Sequence, residues 1–182
     1  VQESAQQLSR SLLIGTTIYC AEIMLERLKV FLEEYPFVVP EIHEGRISHM
    51  KQLLDERTVE VILSAPPADT RGYAVKELEP DSCVFLTSKS FDWDKPAISL
   101  EAIAREPLLL LNVPDKNSLY QRIISEFQRR QLELNIASVC YDSGLLSKML
   151  LNELGSTIVP RSMVHAMNLN TFRMIPIEGD PW

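Results

Sequence analysis

Short apolar runs alternate with amphipathic stretches along this chain, and that alternation constrains the fold more than any other feature. Leu12-Leu13-Ile14 reads as a buried strand. From Ala21, the apolar positions Met24, Leu25, Leu28, Phe31 and Leu32 fall on one face of a helix. That helix stops at Tyr35-Pro36, because proline disfavours helix in the residue before it. Phe37 to Ile42 reads as a second strand, ended by Gly45. A second helix carries Ile47, Met50, Leu53 and Leu54. Val59 to Leu63 is a third strand, closed by Ser64-Ala65-Pro66-Pro67. The order β-α-β-α-β predicts a parallel sheet with right-handed crossovers.

The pattern then restarts. Tyr73 to Leu78 and Cys83 to Thr87 read as extended runs, and a polar stretch follows from Lys89 to Ala97. Leu108 to Leu111 is a predicted strand. Ser118 to Gln131 is a predicted helix with Leu119, Ile123, Ile124 and Phe127 inward. Ile136 to Cys140, Thr157 to Val159 and Phe172 to Ile177 read as strands, with a helix marked by Leu146, Met149, Leu150 and Leu154 among them. The expected fold class is α/β, with two β/α units in series. Residues 1–11 are expected to be the end of a linker helix, 12–80 lobe I and 83–160 lobe II, with 161–182 returning to lobe I.

A chain of 182 residues with 46% hydrophobic residues can build a real core. The net charge of -7 argues against a free-standing nucleic-acid binder, which carries a basic face. The longest basic cluster is Arg129-Arg130, on a helix end. No apolar run is long enough to span a membrane, so no membrane partner is expected. The polar start VQESAQQLSR does not read as a signal peptide. Cys20, Cys83 and Cys140 are widely spaced and lack a CxxC pair, which fits reduced thiols in the cytoplasm.

In a parallel sheet, ligands gather outside the carboxyl ends of the strands, where helix N-termini point N–H groups outward. Thr16-Thr17 holds that place after the first strand, Glu44-Gly45-Arg46 after the second and Ser64-Ala65 after the third. The matching places later are Asp115-Lys116-Asn117-Ser118 and Asp142-Ser143-Gly144. Such hydroxyls either cap helices or donate to an anion, and both readings stand for each. Arg46 is a partner for a carboxylate or a solvated loop cation. His43, His49 and His165 lack metal-ligand spacing, and no GxSxG, GxGxxG or Walker loop occurs. Ser143 is read as a helix start rather than a nucleophile, and Cys20 as a buried thiol or one activated by its helix start. No enzyme chemistry, metal or cofactor is expected.

The series as a whole resembles the effector-binding region of LysR-type transcriptional regulators. Its carriers are Ile14-Gly15, the helix ending at Phe31 and Tyr35-Pro36, Glu44-Gly45, and Leu53-Leu54 before Val59-Glu60-Val61-Ile62. Glu106-Pro107-Leu108-Leu109 and Asn152 to Pro160 extend it over nearly the whole chain. The resemblance implies two Rossmann-like lobes on a type II periplasmic-binding-protein plan, with an inter-lobe cleft holding a small, anionic effector. It implies effector contacts from Thr16, Thr17, Tyr19 and Cys20, from Arg46, from Ser64 and Ala65, and from Asn117, Ser118 and Leu119. It further implies a homodimer or homotetramer, and DNA contact only through a separate N-terminal winged helix-turn-helix. Tyr19 and Arg46 are bulky for this family, which suits a carboxylate larger than sulfate. The C-terminal part is expected to be incomplete relative to the family. The alternative reading is an extracytoplasmic solute-binding protein of a transporter.

Overall fold

The structure, a computed structural model, describes residues 10–65, 69–114, 118–166 and 172–182. The chain divides into two compact units, the first ending at Ala74 and the second spanning Val75–Trp182. The division falls earlier than the expected one after residue 80.

The first unit is built on a parallel sheet of three strands: β1 (Arg10–Thr16) in the centre, β2 (Val38–Glu44) on one side and β3 (Val61–Leu63) on the other. Arg10 and Ser11 pair with Val38 and Val39 in this sheet, so they belong to the strand and not to a linker helix. The Arg10 guanidinium also meets the Glu60 carboxylate at 3.3 Å. The rest of the expected linker helix, residues 1–9, lies outside the described residues. Helix α1 (Ala21–Glu34) buries Met24 and Leu28 against Ile14. It ends before Pro36, where the Tyr35 N–H donates to the Phe31 carbonyl at 2.9 Å and the two rings stack. Helix α2 (Ile47–Asp55) buries Met50 completely. Its last turn closes as a Schellman motif. The Arg57 N–H donates to Leu54 and the Thr58 N–H to Leu53, with Arg57 in the left-handed region at φ 58°.

The expected extended run from Tyr73 to Leu78 forms no strand. Tyr73 instead sits on a turn, its N–H donating to the Thr70 carbonyl at 3.2 Å. Its hydroxyl donates to the Asp55 carboxylate, and the Lys51 ammonium lies 5.4 Å from its ring centre. Side-chain contacts to α2 hold this segment where no strand ladder does.

In the second unit β4 (Cys83–Thr87) is buried along its whole length. It runs antiparallel between β7 (Thr157–Pro160) and β8 (Arg173–Pro176). The final strand therefore pairs inside this unit and does not return to the first sheet. Its apolar side chains explain why: Ile175 and Ile177 are buried in the same core as Phe85 and Ile98. The Ile98 N–H also donates to the Pro176 carbonyl at 2.8 Å. Strand β5 (Leu108–Leu111), wholly buried, pairs in parallel with β6 (Ile136–Cys140), as alternating strands and helices predict.

Around these strands lie α3 (Leu100–Ile103), α4 (Leu119–Arg129), α5 (Ser143–Leu151) and α6 (Arg161–Ala166). The short α3 and α6 carry too few residues for a helical period to show in the sequence. Helix α4 turns Ile123 and Phe127 inward, and Trp182 stacks on Phe127 at 6.3 Å.

Candidate functional site

Parallel pairing brings the carboxyl ends of β2, β1 and β3 to one edge: Thr16 lies opposite Glu44 on one side and Leu63 on the other. Backbone hydrogen bonds continue past the strands. The Gly45 N–H donates to the Thr16 carbonyl at 3.0 Å, and the Thr17 N–H donates to the Leu63 carbonyl at 3.1 Å. The three predicted segments, Thr16-Thr17, Gly45-Arg46 and Ser64-Ala65, are thus gathered at one place.

Their roles are not equal. Thr16 is 1% exposed, and its hydroxyl donates towards the carbonyls of Thr17 and Leu63 at 3.3 and 3.4 Å. It seals the strand end and does not present a donor to a ligand. Nor do the threonines cap α1. The N-cap is Cys20, without a side-chain cap bond, and its N–H donates to the Thr17 carbonyl at 2.9 Å. The intervening turn leaves Thr17, Tyr19 and Cys20 half-buried on the edge. The Ser64 hydroxyl donates to the Ala65 carbonyl at 2.8 Å, and Ala65 is exposed.

Arg46 is the N-cap of α2, with extended backbone and an exposed side chain that makes no cap bond. The first N–H groups of α2 have no partner within the helix, and they carry the positive end of its dipole beside the guanidinium. An open hollow of about 480 Å³ lies there, lined by Gly45, Arg46, Ser48, His49 and Gln52. Ser48, His49 and Gln52 were not foreseen as site residues. The signal was their helical spacing on the polar side of a helix whose start was already singled out.

In the second unit the parallel strands β5 and β6 end at Leu111 and Cys140, and the Asn112 N–H donates to the Cys140 carbonyl at 2.8 Å. Ser118 caps α4: its hydroxyl accepts from the Gln121 N–H at 3.4 Å, and the residue is 8% exposed. Leu119 packs against the core. Asn117, with Asp115 and Lys116, lies outside the described residues. Asp142 caps α5 through the Leu145 N–H at 2.7 Å, and Ser143 opens that helix. The cap reading of Asp142-Ser143-Gly144 is the one the geometry carries.

The remaining thiols are structural. Burial pushes Cys83 up to about 12, helped by the nearby Asp180 carboxylate. Burial also raises Cys140, whose thiol donates to the Leu110 carbonyl at 3.7 Å. Among the described residues no group of three or more His, Cys, Asp or Glu could hold a metal ion. The first unit's edge thus presents backbone N–H groups, the exposed Arg46 guanidinium and the start of α2.

Residues 5–182 match the model of the LysR substrate binding domain family. The chain is 28% identical over its whole length to the HTH-type transcriptional regulator BsdA of Bacillus subtilis (strain 168), and spans 63% of that protein. It superposes on full-length CbnR complexed with its target DNA with a TM-score of 0.79 at 18% identity, covering 96% of this chain and 61% of that one. It superposes on the BenM effector binding domain with its effector benzoate with a TM-score of 0.78 at 17% identity, covering 94% and 79%. These likenesses show a shared fold. Among the described residues no helix is long and apolar enough to cross a membrane.

Proposed function

The chain belongs to the LysR substrate binding domain family, and from that premise we propose that it is the effector-sensing part of a transcriptional regulator. It takes a small organic acid or other anion at the sheet edge of its first unit. Binding then alters how a separate winged helix-turn-helix domain sits on DNA. The single observation that carries this reading is the gathering of Thr17, Arg46 and Ser64 at one sheet edge by the Gly45 and Thr17 backbone hydrogen bonds. In the second unit, Ser118 likewise stands at a helix start, as the N-cap of α4.

The chemistry of the edge supports an anionic guest, because the Arg46 guanidinium and the start of α2 stand there together, with the Glu44 carboxylate beside Gly45 as the opposing charge. The benzoate of BenM makes an aromatic carboxylate a sensible first member of a ligand panel. The regulator is preferred to the solute-binding alternative because BsdA is itself a transcriptional regulator. The protein then works in the cytoplasm, and the net charge of -7 is no obstacle, since DNA contact falls to the other domain. A homodimer or homotetramer is supported by exposed apolar side chains of the first unit, including Val30 at 66%, Phe37 at 50% and Val39 at 53%. An effector needs to prefer one arrangement by only about 1 to 3 kcal/mol to act as a signal.

The test is a thermal-shift and calorimetric screen of aromatic and aliphatic carboxylates and inorganic anions. Saturable binding that weakens several-fold in Thr17→Ala and in Arg46→Ala is expected. A ligand held equally well by both variants moves the site elsewhere, and a screen without any binder overturns an anionic effector.

A further inference from the structure

Two glycines flank the candidate edge, Gly15 just before Thr16 and Gly45 just before Arg46. A methyl group on either would be tight. A Cβ on Gly15 would stand 3.0 Å from Sδ of Met50 and 3.3 Å from Cγ1 of Ile62. A Cβ on Gly45 would stand 3.0 Å from Cε of the same Met50. One thioether thus fills the space over both glycines, and Met50 is 0% exposed. Met50 belongs to α2, whose N-cap is Arg46, and the Gly45 N–H hangs from the Thr16 carbonyl. The depth of this side chain therefore fixes how closely the first turn of α2 approaches the end of β1.

We propose that Met50 is a positioning residue: wedged over Gly15 and Gly45, it sets the height of α2 above the sheet edge and so the spacing between Arg46 and Thr17. The inference rests on the effector reading for its consequence and on the packing for its geometry. Methionine suits the task. Its unbranched, adaptable chain reaches past two bare backbones. A shorter side chain lets α2 settle or loosen at its start, and an added methyl at either glycine pushes it away.

The experiment compares Met50→Ala, Met50→Leu and Gly45→Ala with the wild-type protein by amide hydrogen exchange and by calorimetry with any carboxylate found to bind. The amide at position 45 reports the α2 tie, and the Glu60 N–H, which donates to the Leu13 carbonyl at 2.8 Å, reports the tie between β1 and the start of β3. In Met50→Ala the amide at 45 is expected to exchange at least tenfold faster while Glu60 changes far less. Effector affinity falls at least fivefold, and Met50→Leu restores both to within about twofold. Gly45→Ala, which fills space and leaves no cavity, gives the same selective loosening if Met50→Ala proves too unstable to study. Equal acceleration at 45 and 60 in both variants marks Met50 as ordinary core and overturns the proposal, as does a selective loosening with unchanged affinity. If no carboxylate binds the wild type, the effector reading falls, and the exchange comparison alone decides the positioning role.

Discussion

Gly155 stands against the carbonyl of Pro107 so closely that a Cβ there would lie 2.5 Å from its oxygen. The next residue uses that same oxygen, the Ser156 N–H donating to it at 2.8 Å. The chain passes β5 here on its way into β7, and only a bare backbone fits. Gly155→Ala is expected to cost about 1 to 3 kcal/mol, the usual range for overfilling a packed site. Urea unfolding measures it, and an unchanged midpoint would show that the strand shifts freely.

Helix α4 ends on a non-glycine residue in the left-handed region, Gln131 at φ 57°. The Gln131 N–H donates to Gln128 and the Leu132 N–H to Phe127, both at 2.9 Å, which completes a Schellman motif. A side chain at that position costs roughly 1 to 2 kcal/mol, offset in part by the greater entropy that glycine loses on folding. Gln131→Gly should therefore raise stability by up to about 1 kcal/mol, read from thermal unfolding. A lower midpoint would mean that the glutamine makes a compensating contact.

The Glu126 carboxylate accepts from Arg129 at 2.7 and 2.8 Å and from Arg130 at 2.8 Å. The hydrogen bonds from Arg129, then Arg130, hold its pKa down at about 2, below the ordinary 4.5. A depressed folded-state pKa gives stability that is present above the unfolded value and lost as pH falls through the folded one. Glu126→Gln should therefore melt below wild type at neutral pH, with the gap closing between about pH 4.5 and about pH 2. The gap should also shrink in high salt, because both arginines face solvent. A gap independent of pH would assign the effect to packing.

Cysteine accessibility separates the three thiols. Cys20 is half-buried at the candidate edge, while Cys83 and Cys140 are 5% and 4% exposed. With a maleimide at pH 7.5, mass spectrometry should find Cys20 modified first, and the other two only on unfolding. A bound carboxylate should slow the Cys20 reaction. Comparable labelling of Cys83 in the native protein would contradict its burial.

The strands and longer helices were legible because each carries a hydrophobic period that burial enforces, as in Leu108 to Leu111 or in Ile123 and Phe127 of α4. The partner of the last strand was not. Nothing in Arg173–Pro176 distinguishes pairing with β4 from pairing elsewhere, since strand choice is set by the shared core of Phe85, Ile98, Ile175 and Ile177. At the site, the gathering of three loops followed from parallel order alone. The sealing of Thr16 and the α1 cap at Cys20 did not, because both depend on a turn of irregular backbone at 18–20. Met50 read only as one apolar helix position; its fit to two glycines distant in sequence exists solely in three dimensions.

β4 lies between two strands that both come much later in the chain, Val84 opposite Val159 on one flank and Pro176 on the other. The sheet of the first unit is complete at Leu63. During synthesis the amino-terminal half can close soon after it leaves the ribosome, whereas the second keeps a greasy, unpaired ribbon waiting until residue 176 emerges. Nascent-chain aggregation and chaperone demand should accordingly concentrate on that interval of translation.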